Sequence, residues 1–120
     1  MEREILRINS PHEFVGGPYV VVHIEKGKER WAIVAMGWKI EGRMEPRLGI
    51  RWFWGSLGNP QSSGYSTWLV IPPMLSRPIL LGLPSTVTVW NLRLVQDFLD
   101  GRKSGAQLRQ AWEENVRSAE

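Results

Sequence analysis

Residues 30–41 read RWAIVAMGWKIE, and the class of the whole chain turns on their pattern. The middle of the run is apolar on both strand faces, as a strand covered on two sides requires. Gly37 fits a bulge or bend within it. Downstream, residues 47–54 (RLGIRWFW) alternate cleanly. Leu48, Ile50, Trp52 and Trp54 share one face, and Arg47, Gly49, Arg51 and Phe53 share the other. Glu45-Pro46 fits a tight connection between these two strands, because proline presets φ at a turn position. Upstream, residues 19–26 (YVVVHIEK) read as a β-branched strand started by Pro18, with Gly27 and Lys28 as its turn. A fourth strand spans 66–71 and ends at Pro72-Pro73. A helical turn or two follows, limited by Pro78. Residues 86–90 alternate as a fifth strand, or else open a helical stripe of Val87, Trp90, Leu94 and Phe98.

Two helices complete the chain. Asn91 is a suitable N-cap for 92–100 and Gly101 a suitable stop. Ser104 with Gln107 has the form of a capping box for a final helix to about residue 118. Leu108, Ala111, Trp112, Val116 and Ala119 mark its buried stripe, with Trp112 the largest anchor. Strands followed by helices give an α+β fold. The expectation is an antiparallel sheet or partly closed barrel of four to five strands, packed with two C-terminal helices. A length of 120 residues fits one domain.

Composition narrows function by exclusion. With 42% hydrophobic and 22% charged residues the chain is globular in type, and seven tryptophans give it large packing area. The absence of cysteine excludes disulfides, thiolate catalysis and cysteine-ligated metals. The first ten residues, MEREILRINS, lack a secretory apolar core, and no apolar run approaches the roughly 20 residues of a membrane span. A cytoplasmic protein without membrane contact is expected. His12 and His23 lack ligand spacing, so no metal or other cofactor is expected. His23 and Glu25 share a strand face as a candidate acid–base pair, but nothing nucleophilic is near them in sequence. GYST (64–67) is not a nucleophile elbow, and GSLG (55–58) lacks the lysine of a phosphate loop. These absences favour a non-catalytic binding or regulatory module.

Two surfaces compete for the binding role. Net charge is +3, and the excess lies after Trp31: residues 1–30 hold five basic and five acidic groups, residues 31–120 ten and seven. If 38–44 pairs with 47–54, Lys39, Arg43, Arg47 and Arg51 are expected on one face, with Glu41 and Glu45 as internal counter-charges. A phosphate backbone is the external counter-charge, and Phe53 on that face is placed to stack a base. Arg102 and Lys103, with Arg109, form a second basic cluster at the turn between the helices. A nucleic-acid-associated role through the basic strand face is therefore the first expectation. The helix pair also has a helix-turn-helix outline, although Glu113 and Glu114 on the second helix repel phosphate.

The rival surface is the loop 55–65, within residues 52–76, twenty-five residues without Lys, Arg, Asp or Glu. Together with exposed tryptophan, such a stretch matches the charge-depleted core of an interface, in a protein-interaction or homo-oligomeric module. The same loop, 55–65, can instead form a small-ligand pocket lined by Trp54, Asn59, Gln61, Ser63, Tyr65 and Trp68.

Overall fold

The computed structural model describes residues 2–84 and 89–119. Ten elements follow in order: α1 (Glu2–Leu6), β1 (Val15–Glu25), β2 (Trp31–Ile40), β3 (Arg43–Trp52), β4 (Gln61–Ser62), β5 (Tyr65–Ser66), β6 (Leu69–Val70), α2 (Pro73–Leu81), α3 (Val89–Leu99) and α4 (Gly105–Ala119). The class is α+β. Four strands form an open antiparallel sheet in the order β1-β2-β3-β6, and β4 and β5 form a separate two-stranded hairpin. Nothing closes the sheet into a barrel.

β2 is the centre of the fold because both its faces are covered, as its apolar run requires. On one face Ile33 and Ala35 join Val20, Val22 and Leu48 under Leu80, Leu94, Val95, Phe98 and Leu108 from the three C-terminal helices. On the other face Ala32, Val34 and Met36 meet Ile5 of α1, Val15, Val21 and Trp68. The Trp68 indole N–H donates to the Ile8 carbonyl at 2.7 Å, which pins the N-terminal segment beneath the sheet. A buried tryptophan with its donor satisfied is a stable solution to its mixed chemistry.

The hairpin joining β2 and β3 turns at Glu41-Gly42 and not at Glu45-Pro46. Both turn residues have positive φ (49° and 81°), the two-residue geometry whose twist matches that of paired strands. Pro46 lies inside β3 opposite Gly37. β1 begins at Val15, so Pro18 does not start it; the ladder to β2 is irregular between Gly16 and Val20, and a proline is tolerated at such a break. The predicted 66–71 strand is split between β5 and β6. Of the proposed strand over 86–90, residues 85–88 lie outside the described residues, while Val89 and Trp90 open α3. Asn91 therefore falls within that helix and does not cap it.

Both helix signals near the chain's end are realised. Gly101, at φ 79°, ends α3 with Arg102 N–H donating to Asp97 O at 2.8 Å and Gly101 N–H to Phe98 O at 3.1 Å. The capping box is reciprocal: Gln107 N–H donates to Ser104 Oγ at 3.1 Å and Ser104 N–H to Gln107 Oε1 at 2.9 Å.

Candidate functional site

Of the four cations proposed for one strand face, Arg43, Arg47 and Arg51 share it and Lys39 does not. Lys39 pairs with Met44 and Ile40 with Arg43, so the β2–β3 register places odd-numbered residues of one strand opposite even-numbered residues of the other. Cross-strand partners point to the same face. Lys39 therefore projects opposite to Arg43, Arg47 and Arg51. Arg47 is partly covered, and its guanidinium donates to the adjacent Pro46 carbonyl at 2.8 Å.

Arg51 departs furthest from the expectation. It is 1% exposed, and it serves the fold and not the solvent face. Its guanidinium donates to the carbonyls of Thr67 (2.5 Å), Leu57 (2.5 Å) and Pro60 (3.3 Å), gathering the loop between β3 and β6 around one cation. The charge lies 5.3 Å from the centroid of Phe53 and 6.0 Å from that of Trp68, so ring faces supply part of the attraction a carboxylate would give. Burial pushes its pKa below the usual arginine range, yet a guanidinium titrates so high that it stays charged. Phe53 lies beneath Arg51 and is partly buried against the core. Gly58 belongs to the same construction. A Cβ there would overlap the Trp52 carbonyl oxygen and lie 2.5 Å from the Arg51 guanidinium, and φ is +68°. Gly58→Ala should destabilise by at least about 2 kcal/mol, from the left-handed backbone together with overpacking. A denaturation midpoint measures it; an unchanged midpoint would mean the loop is not locked to Arg51.

The helix-turn cluster is also dispersed. Arg102 pairs with Asp97 at 3.6 Å, and Lys103 lines a cavity of about 270 Å³ beside Tyr19, Met44 and Phe98. Tyr19 packs edge-on against Phe98 at 5.6 Å, and burial raises its pKa.

The six residues of the proposed loop pocket also go to different places. Trp68 is a core residue. Asn59 pairs through its backbone with Trp52, and Gln61 turns back to donate to Gly58 O at 3.0 Å. Ser63, at φ 50°, forms the β4–β5 turn with Gly64. Trp54 is exposed and leans on Trp52 at 5.8 Å. Tyr65 lines a groove of about 500 Å³ against Arg7, Ser10, His12 and Glu13. His23 and Glu25 do meet, Nε2 to Oε1 at 3.2 Å, with the imidazole against the Trp31 ring at 5.2 Å. Among the described residues no group of acidic, histidine or cysteine side chains could hold a metal ion, and no helix is long and apolar enough to cross a membrane.

One surface went unread in the sequence. The charge gap extends past residue 76: residues 52–92 carry a single charge, Arg77. α2 lies within it. Ser76 and Leu80 are its buried residues, while Met74 and Leu81, at 83% and 77% exposure, lie on the opposite side with Pro78 at i, i+4 and i+7. An amphipathic surface helix turns charge outward; α2 turns methionine, proline and leucine outward, flanked by one exposed charge, Arg77. Leu69 of the edge strand and Leu75 are exposed nearby in sequence. The usable signal was the length of the gap, not the loop at its start. Neither a protein-family model, nor a curated protein, nor a solved structure matches this chain.

Proposed function

We propose that this protein is a non-catalytic binding module that pairs with a second copy of itself through the apolar outer face of α2. The observation that carries this reading is that face: Met74, Pro78 and Leu81 exposed on a helix whose inner side is already packed. Burying large apolar side chains contributes roughly 1.5–3 kcal/mol each, and leaving them in water forgoes it. The near absence of charge favours a second copy as the occupant. A two-fold contact brings identical groups together, so a charged patch repels itself, whereas residues 52–92 offer only Arg77 to do so.

Sedimentation equilibrium tests it. The protein should be a dimer at micromolar concentration, and Met74→Asp with Leu81→Asp should make it a monomer while its circular dichroism is unchanged, since both positions are exposed. Two results count against the reading. One is a wild-type monomer at high micromolar concentration, and the other is a dimer that the double substitution leaves intact.

A further inference from the structure

Three arginines from the two ends of the chain line one groove. Arg3 and Arg7, four residues apart at α1, face it together with Arg109 of α4, over Leu6, and the groove has a volume of about 440 Å³. All three are exposed, and among the described residues no carboxylate lines the groove. Arg109 has a partner outside the lining, Glu113 at 3.5 Å, while Arg3 and Arg7 make no ion pair among the described residues. Folding thus gathers three positive charges, two of them without an ion pair among the described residues, an arrangement that an anion relieves. Guanidinium groups bind phosphate oxygens in paired, planar contacts, which makes arginine clusters fit this anion class best.

Arg7 is shared between two grooves. That side chain also lines the neighbouring groove of about 500 Å³ formed by residues 7–13 with Tyr65 and Ser66. There the lining is polar and neutral at Asn9 and Ser10, carries the ring of His12, and has Tyr65, 67% exposed, as an aromatic surface. Its carboxylate, Glu13, is absent from the arginine groove. Among the described residues charge is therefore sorted across Arg7: only cations among the charged groups on one side, and a neutral to acidic lining with an aromatic ring on the other.

We infer that the two grooves form one site for a phosphorylated small molecule with a flat ring, of the nucleotide type. The phosphate end sits among Arg3, Arg7 and Arg109, and the ring lies across Arg7 toward Tyr65. A convergent trio suits a multiply charged terminal phosphate or pyrophosphate. A nucleic acid strand instead carries single charges spaced along its length. The site is separate from the α2 surface and does not rest on its role.

Calorimetric titration with inorganic pyrophosphate and with ADP at low ionic strength tests the assignment. Both should bind saturably, with ADP the tighter. Arg7→Ala and Arg3→Ala should each weaken both probes roughly tenfold or more, the usual scale for losing a hydrogen bond to a charged group. Glu113→Gln should tighten both by freeing Arg109. Tyr65→Ala should weaken ADP and leave pyrophosphate unchanged. The assignment is overturned if neither probe binds, if both bind Arg7→Ala as they bind wild type, or if Tyr65→Ala leaves ADP affinity intact. A single-stranded oligonucleotide that binds where pyrophosphate does not would also overturn it, in favour of a strand-binding surface.

Discussion

Arg51→Glu should unfold the protein. The substitution exchanges a buried cation donating to three carbonyls for an anion that can donate to none. The carbonyl oxygens of Leu57, Pro60 and Thr67 would then face a carboxylate, negative against negative, in a site 1% exposed to water. Each carbonyl left without a donor costs about 1–3 kcal/mol, and an uncompensated buried charge costs several more. That sum matches the whole stability of a typical domain, about 5–15 kcal/mol. Two further replacements separate charge from shape. Arg51→Met fills similar volume but strands the carbonyls, so it should fold with a clearly lowered midpoint. Arg51→Lys keeps the charge on a point donor that cannot reproduce the planar fork, and should fall between methionine and wild type. Urea denaturation followed by tryptophan emission gives the order. If Arg51→Glu folds with a near-native midpoint, Arg51 is not the organiser of residues 57–67.

The burial of Arg51 inverts what a strand pattern suggests, and the reason is physical. Alternation in residues 47–54 correctly separated Leu48, Ile50 and Trp52 from Arg47, Arg51 and Phe53. It could not say that the second face is covered as well. That cover comes from Trp68, from Ile5 and Ile8, and from a loop folding back on Arg51, contacts as much as sixty residues apart in sequence. The signals that survived are local ones. The doubly apolar run over 30–41 marked a strand buried on both faces. Ser104 with Gln107, and Gly101 with its left-handed backbone, marked helix ends whose hydrogen bonds close within five residues. Lys39 was misplaced because a two-residue turn pairs odd positions with even ones, so like parity across the hairpin means opposite faces. The turn itself went to Glu41-Gly42, where glycine accepts positive φ without strain, in preference to a proline that the strand could absorb. The arginine groove had less to announce it. Arg3 and Arg7 show one-helix spacing, but their approach to Arg109 exists only after folding.

Leu108→Ala should cost the second-largest share of stability, and it decides whether α4 belongs to the core. The helical stripe pointed to Trp112 as the anchor. In the structure Leu108 is 0% exposed among Val20, Ala35, Phe98 and their neighbours, while Trp112 is only partly buried at the edge of the same cluster. The larger side chain thus removes less of itself from water than the smaller one. Truncating a fully buried leucine costs about 2–5 kcal/mol, from lost transfer energy together with the cavity left behind. Trp112→Ala should cost less than the about 3–5 kcal/mol of a fully buried aromatic residue, because solvent already reaches part of the ring. The expected order, Leu108→Ala the more destabilising, runs against side-chain size and so tests the packing itself. Helix content by circular dichroism and tryptophan emission should fall together in both variants if α4 unfolds with the sheet it covers. Loss of helix signal at lower denaturant than the tryptophan signal would make α4 a separately melting lid, and an unchanged Leu108→Ala midpoint would remove it from the core altogether.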